Sequence, residues 1–109
     1  MDIISGTPII KRGTTPTHTI GVPPEVGLIA KARVVYAQDG KAVFKKENES
    51  CTIEEDSVSV KLTQEDTLSL TCSKTCEIEL HVLTPGNDSI ISEPIVAVVT
   101  KCLDNEVLV

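Results

Sequence analysis

Polar and apolar residues alternate along most of this 109-residue chain, and the alternation constrains its fold more than any other feature. Successive side chains of a β-strand point to opposite faces of a sheet, so a period of two indicates strands with one buried and one wet face. Three segments show this period clearly: SVSVKL (57–62), TLSLTC (67–72) and CEIELHVL (76–83). The pattern predicts half-buried antiparallel strands.

Two further segments, 28–37 (LIAKARVVYA) and 95–99 (IVAVV), are more continuously apolar and are typical of central strands. Asp39-Gly40 lies between two such runs and predicts a hairpin, because this pair suits a turn with positive φ. The segment TQEDT (63–67) is long enough for one helical turn at most. The sequence therefore predicts an all-β fold, an immunoglobulin-like antiparallel β-sandwich of seven to eight strands, with a small β-barrel as the alternative.

The length of the chain suits one domain over residues 1–109, in which residues 1–10 can form an extended N-terminal arm. Tyr36 and Phe44 are the only aromatic residues, so we expect an aliphatic core. The first ten residues carry an acid at position 2 and no basic-then-apolar pattern, which predicts that the chain is not secreted through a signal peptide. No run approaches the roughly 20 apolar residues that span a membrane, so no membrane partner is expected.

Charge is distributed unevenly along the chain. Residues 1–46 carry seven bases and three acids, whereas residues 47–109 carry three bases and thirteen acids, which gives a net charge of −6. An acidic chain with few aromatic side chains is a poor match for nucleic acid, since binding depends on neutralising phosphates and stacking bases. The asymmetry favours head-to-tail contacts between copies or with a partner, and a merely solvated, unevenly charged surface is the alternative.

The four cysteines do not form a recognisable metal motif. Cys72 and Cys76 are separated by three residues, whereas Cys51 and Cys102 stand alone, and structural zinc sites favour two tight pairs. By strand parity, Cys72 and Cys76 continue the buried faces of their predicted strands, which predicts reduced cysteines that act as small core residues. A disulfide between Cys72 and Cys76 and a zinc site are the alternatives.

The sequence contains no set of residues that clearly matches a catalytic motif. A nucleophilic cysteine needs a histidine nearby, but His81 lies on the polar face of its predicted strand, opposite in parity to Cys76. The acidic clusters at 54–57 and 64–66 lack the glycine of a calcium loop and are interpreted as solvated turns. The sequence predicts a protein that is not an enzyme and that binds no metal or cofactor.

Residues 11–20 (KRGTTPTHTI) concentrate basic residues, threonines, a glycine, a proline and a histidine. Gly13 permits an abrupt turn, and Pro16 biases Thr15 towards extended geometry, so the segment is interpreted as a turn that leads into a first strand. An ordinary edge strand is one interpretation, and an anion site at Lys11 and Arg12 is another. A third assigns a contact with a neighbouring subunit to five residues: Arg12, Thr14, Thr15, Thr17 and His18.

A resemblance to a known group of proteins rests on five segments that occur in order. They are RGTTPTHTI (12–20), VVYAQDGK (34–41), SVSVKLTQEDTLSL (57–70), IELHVLTPGND (78–88) and KCLDNEVL (101–108). Together they resemble small β-sandwich proteins from the structural-gene regions of phages and prophages of Gram-positive bacteria, especially gut Firmicutes. The layout is similar, more loosely, to the N-terminal domain of phage baseplate upper proteins.

The resemblance implies a virion structural or accessory protein that works through protein–protein contacts, in capsid decoration, head–tail connection or a tail or baseplate adaptor. Its partners would be other virion proteins or copies of itself, and the protein would fold in the bacterial host cytoplasm before it joins the virion. Two alternatives remain at this stage. One is a glycan-binding or metal-binding module, although sugar recognition usually relies on aromatic platforms. The other is a small phage protein that binds a host protein.

Overall fold

The fold consists of short strands joined by turns, with one helical turn between the sixth and seventh strands. The structure, a computed structural model, describes residues 9–109. The elements are β1 (Ile9–Lys11), β2 (Thr17–Gly21), β3 (Lys31–Gln38), β4 (Lys41–Lys46), β5 (Cys51–Ile53), β6 (Ser57–Lys61), α1 (Gln64–Leu68), β7 (Thr75–Leu83), β8 (Ser89–Ile91) and β9 (Ile95–Thr100). Single 3₁₀ turns occupy Pro24–Val26 and Asn48–Ser50.

The strands form two sheets that pack face to face. The larger sheet has the order β1-β9-β7-β3-β4, with β8 also paired to β7, and the smaller sheet has the order β2-β6-β5. These orders match an immunoglobulin domain, in which strands B, E and D form one sheet and strands C, F and G form the other. The predicted immunoglobulin-like β-sandwich is confirmed, with one departure: β1 pairs with β9 in parallel.

Residues 9–109 contain nine strands, more than the predicted seven to eight, because the strand that follows β7 in the larger sheet is interrupted. β8 pairs with one end of β7 and β9 pairs with the other end, and residues 92–94 separate them. Ser92 bridges the gap, since its backbone N–H donates to the Leu80 carbonyl and its hydroxyl accepts the Leu80 N–H, both at 2.9 Å. The alternative of a small barrel is wrong, because no strand pairing joins the two sheets within the described residues.

The predicted hairpin at Asp39-Gly40 is confirmed. These two residues connect β3 to β4, and both have positive φ, 54° at Asp39 and 74° at Gly40. Two consecutive residues of positive φ give the turn a twist that matches the right-handed twist of its strands. The hairpin places β4 at one edge of the larger sheet.

The predicted strand at 67–72 is wrong, because its first two residues end α1 and a turn follows, whereas the single helical turn expected within 63–67 is confirmed. Thr63 caps the helix: its hydroxyl accepts the Asp66 N–H at 3.0 Å, and the Asp66 carboxylate accepts the Thr63 N–H at 2.9 Å. This reciprocal capping satisfies two backbone donors that the helix leaves free. Lys46 reaches Asp66 at 2.6 Å and ties α1 to β4. Local capping and this ion pair therefore override the alternating pattern.

The core is aliphatic, as predicted, and lies between the inward faces of the two sheets. Tyr36, which is fully buried, is its largest side chain. The other fully buried side chains are mainly those at alternate positions of the central strands: Ile20, Val34, Val58, Val60, Ile78, Leu80 and Ala97. Each buried Val, Leu or Ile contributes about 1.5–3 kcal/mol relative to exposure, so this layer holds the two sheets together.

The extended arm predicted over residues 1–10 falls mostly outside the described residues, which begin at Ile9. Ile9 and Ile10 belong to β1, and Ile10 is fully buried. Within residues 9–109, no helix has both the length and the apolar character needed to cross a bilayer.

Candidate functional site

Arg12 is partly buried and bonds to other segments of the chain. Its Nη1 donates to the Asn105 side-chain oxygen and its Nη2 donates to the Leu68 carbonyl, both at 2.9 Å. Its backbone N–H donates to the Thr100 carbonyl, also at 2.9 Å. The guanidinium thus joins the turn after β1 to the end of α1 and to the segment that follows β9. The hypothesis that Arg12 contacts a neighbouring subunit stays a prediction, but Nη1 and Nη2 already donate within the chain, whereas the buried Nε has no partner among the described residues.

Gly13 and Thr67 fix the same turn against α1. The Gly13 N–H donates to the Thr67 hydroxyl at 2.9 Å, and that hydroxyl donates to the Thr14 carbonyl at 2.9 Å. Gly13 has a φ of +84°, where a side chain would be strained, and a Cβ there would lie 3.6 Å from the Cys102 sulfur. Thr67 is fully buried. A conformation that only glycine adopts easily and a buried hydroxyl therefore determine the path from β1 to β2.

The remaining predicted contact residues divide into exposed and buried positions. Thr14, Thr15 and Thr17 are exposed, and the Thr14 hydroxyl donates to the Lys11 carbonyl at 2.6 Å. β2 is an edge strand of the smaller sheet, as one interpretation of the segment predicted. His18 is wrongly predicted as a partner contact, because its side chain is 6% exposed and points into the core.

His18 and Tyr36 connect the two sheets through a polar contact in the core. The His18 Nδ1 and the Tyr36 hydroxyl are 2.6 Å apart, and Tyr36 also stacks on Phe44 with ring centroids 4.6 Å apart. Burial lowers the pKa of His18 and raises the pKa of Tyr36, so both side chains are kept neutral. A satisfied hydrogen bond between neutral groups makes this a structural pair.

The most exposed apolar surface of the larger sheet was not predicted. We define the aliphatic face as Ile9, Ile91, Val96 and Val98, which are each 52–54% exposed. Ile9 and Val98 are register partners on adjacent strands, and Val96 lies two residues from Val98 on the same side of β9. The alternate residues of β9, Ala97 and Val99, are buried. β9 is therefore apolar on both sides, and one side faces solvent.

Charged columns run beside the aliphatic face on the same side of the sheet. Register places Glu77 opposite Val96 on β7 and Glu79 opposite Val35 on β3, so both glutamates share the outward side with Val96. Arg33 lies on that side of β3 and is exposed. Glu79 contacts His81 at 3.1 Å, and Arg33 contacts Glu47 at 2.5 Å. The two glutamates therefore lie level with Ala37 and Val35, whereas Arg33 lies level with His81, further along the pair of strands.

The four cysteines are free thiols in the structure. The prediction of a core residue is confirmed for Cys76, whose burial raises the pKa of its thiol to about 11. Burial, assisted by the nearby Glu47, also raises the pKa of Cys51. The same prediction is wrong for Cys72, which is exposed because it follows α1 instead of a strand. Cys102 is partly buried beside Gly13.

In the acidic cluster at 54–57, the three acids are exposed, which agrees with a solvated turn, and Ser57 is buried. The interpretation is wrong for 64–66, which lies in α1, where Asp66 pairs with Lys46. Within residues 9–109, no group of three or more histidine, cysteine or acidic side chains is placed to hold a metal ion. The two histidines contact Tyr36 and Glu79 respectively.

Comparisons with known proteins give little on function. No protein-family model matches the chain, and no curated protein matches it. Among solved structures, the chain is similar to extracellular domains 3–5 of Drosophila OTK at 17% identity and a TM-score of 0.39. The match covers 90% of this chain and 35% of the Drosophila chain, so this chain spans about a third of the length of that structure. The fold assignment therefore rests on the strand order.

Proposed function

We propose that this domain is a non-enzymatic protein–protein contact module that serves as a structural or accessory component of a phage virion. The observation that carries the contact role is the aliphatic face, where four branched aliphatic side chains are each more than half exposed on one sheet. Ile9, Val96 and Val98 lie together in the strand register, whereas Ile91 lies opposite His81, four residues further along β7. Exposed apolar patches commonly mark interaction sites. Removing such surface from water is favourable by about 25 cal/mol per Å².

The virion role is supported by the sequence resemblance of five ordered segments to proteins from phage structural-gene regions. The partners would be other virion proteins or copies of this chain, met after folding in the bacterial host cytoplasm. The aliphatic face suits such partners better than it suits a glycan, because sugar recognition usually relies on exposed aromatic side chains, whereas Tyr36 is fully buried.

Particle composition tests the virion role directly. Phage particles from the strain that encodes the chain would be purified on a density gradient and digested for peptide mass spectrometry. We expect peptides of this chain to remain with the particles through the gradient at a fixed ratio to the major capsid protein. Absence of the chain from intact particles would overturn the virion role.

Substitution of the aliphatic face tests the contact role. Val96→Lys with Val98→Lys places two charges at the centre of the face, where a desolvated contact cannot accept them. We expect the double variant to fold but to be lost from particles when it replaces the native copy. The matched control is Leu28→Lys, since Leu28 is 77% exposed between β2 and β3, away from the face. Equal incorporation of both variants would contradict the contact role.

A further inference from the structure

Strand β2 has one paired edge and, among the described residues, one edge without a strand beside it. It pairs only with β6 in the smaller sheet. At one end of this pairing the Val22 N–H donates to the Asp56 carbonyl at 2.7 Å. At the other end the Pro16 carbonyl accepts the Leu62 N–H at 2.9 Å. Both bonds continue the register of the pair, so the even-numbered residues of this segment bond to β6.

The odd-numbered residues of β2 present their backbone groups to the other side. Successive residues of an antiparallel strand direct their N–H and C=O groups to opposite edges, so those of His18 and Ile20 face β6. Those of Thr17, Thr19 and Gly21 point away from β6, and no strand within residues 9–109 pairs with them. A row of free backbone groups of this kind is a template for a further strand.

The other edge strands in the described part of the chain are protected against such pairing. Strands β1, β5 and β8 have three residues each. Strand β4 is longer but carries Lys41, Lys45 and Lys46, and both short strands and lysines are common protections of an exposed sheet edge. Strand β2 has five residues, none of them an acid, a lysine or an arginine. Its free edge therefore needs a cover more than the others do.

We propose that residues 2–5 (DIIS) add to the free edge of β2 as an antiparallel strand and exchange hydrogen bonds with Thr19 and Gly21. These four residues precede β1 in the chain and lie outside the described residues. The added strand would extend the smaller sheet beyond its three described strands. The inference does not depend on the proposed function, because it uses neither the aliphatic face nor a virion partner.

The path of the chain leads this segment to the free edge of β2. β1 is an edge strand of the larger sheet and β2 is an edge strand of the smaller one. Residues 12–16 join them, so the two edges lie on the same side of the sandwich. The Thr14 N–H donates to the Lys11 carbonyl at 3.3 Å in this turn, which reverses the chain. Residues upstream of Ile9 therefore lead towards the end of the sandwich where β2 finishes at Gly21.

The length of the segment fits the distance to be crossed. Packed sheets lie about 10 Å apart, and three extended residues span roughly 10 Å. Residues 6–8 (GTP) can therefore cross from Ile9 to the smaller sheet and leave residues 2–5 to pair. Pro8 favours crossing at this point, because it has no N–H with which to continue the ladder beside β9.

The tether favours this segment over any other chain as the strand beside β2. Residues 2–5 are joined to β1 by three residues, so their effective concentration at the edge of β2 is roughly millimolar. A strand from another molecule would have to approach that concentration to compete. Ile3 and Ile4 are β-branched residues, which suit a strand.

Hydrogen exchange of single backbone amides in the full chain, followed by NMR spectroscopy, tests the added strand. One variant carries Ile3→Pro with Ile4→Pro. Successive N–H groups point to opposite edges, so one of the two faces β2 in any register, and proline removes both. We expect the N–H groups of Thr19 and Gly21 to exchange about tenfold more slowly in the native chain than in this variant. Ile3→Ala with Ile4→Ala keeps both N–H groups and, as the matched control, should retain most of the protection.

The N–H groups of His18 and Ile20 report whether the fold is intact, because they bond to β6 and should stay protected in all three chains. Fast exchange of the Thr19 and Gly21 N–H groups in the native chain would overturn the inference, as would equal protection in the proline variant. Protection that falls on dilution, together with a dimer in sedimentation velocity, would also overturn it, because a second copy would then supply the strand.

Discussion

Residues 11–18 and strand β9 are opposites in composition and in exposure. The first segment is rich in charge, hydroxyl groups and imidazole, yet Arg12 bonds within the chain and His18 is buried. The second consists of aliphatic residues and a threonine, yet Val96 and Val98 are more than half exposed. The polar segment makes contacts that support the fold, whereas the aliphatic segment leaves apolar side chains exposed to solvent.

The difference follows from what each residue type needs. A partly buried backbone donor such as the Gly13 N–H needs an acceptor, and the Thr67 hydroxyl provides one within the chain. A valine side chain forms no hydrogen bond, so at an outward position its apolar surface stays in water. The polar character of a segment is therefore a poor guide to its exposure in this sandwich.

The largest loss of stability is expected where the turn between β1 and β2 bonds to α1. Thr67→Val keeps the shape of the side chain but removes the hydroxyl that serves Gly13 and Thr14. We expect the free energy of unfolding to fall by about 1–3 kcal/mol, since a partly buried N–H loses its acceptor. Urea denaturation measures the change. The control is Thr14→Val, at an exposed position, and equal losses in the two variants would show that Thr67 is not special.

An intermediate loss of stability is expected when the pH is lowered. Burial lowers the pKa of His18 in the folded state below its ordinary value of 6.5. The folded protein therefore holds His18 neutral where the unfolded chain would protonate it. This stability is fully present above pH 6.5 and is lost as the pH falls through the folded pKa, with a slope of up to about 1.4 kcal/mol per pH unit.

Chemical denaturation at a series of pH values from 7.5 to about 4.5 measures that slope. Stopping the series at about pH 4.5 excludes most of the change in stability that protonation of the Asp66 carboxylate would cause. Burial alone would raise the pKa of this carboxyl, but the hydrogen bonds from Lys46 and Thr63 outweigh burial and lower it, so its contribution is lost only at more acidic pH. The control is His18→Leu in a His81→Gln background, which should flatten the curve relative to His81→Gln alone. An unchanged slope would contradict the role of His18.

The smallest effect on stability is expected on the aliphatic face. Val98→Thr replaces a methyl group by a hydroxyl at a position 53% exposed, and exposed substitutions of this kind usually change stability by less than about 0.5 kcal/mol. Thermal unfolding of a dilute sample measures it. Val99→Thr, its buried neighbour, should cost about 1–3 kcal/mol. Equal costs at both positions would show that the outward side of β9 is packed within the monomer.

Much of the fold could be predicted from the sequence because strand periodicity is local. The alternation at 57–62 and 76–83 and the turn at Asp39-Gly40 each specify their own geometry, and the structure follows them. The segment 67–72 has the same alternation but follows a threonine and an aspartate that cap a helix. The Thr-x-x-Asp spacing at Thr63 was visible and would have corrected the prediction.

The candidate site was harder to predict because exposure depends on what lies across a sheet. His18 shares parity with Ile20, so its burial was visible in the sequence. No such signal distinguishes Val96 and Val98 from Ala97 and Val99, since IVAVV is apolar at both parities. Which side is covered depends on the second sheet, and the second sheet is built from residues far away in the chain.

The parallel pairing of β1 with β9 has a mechanical consequence. Ile9 pairs with Val98, and Lys11 pairs with Thr100, so the two strands run side by side in one direction. A force that pulls residue 9 backwards along β1 and residue 100 forwards along β9 loads all the hydrogen bonds of this pair at once, in shear. Shear spreads tension over the whole ladder, whereas peeling breaks one bond at a time. This pairing therefore resists tension that is applied to residues 9 and 100 along the direction of the two strands.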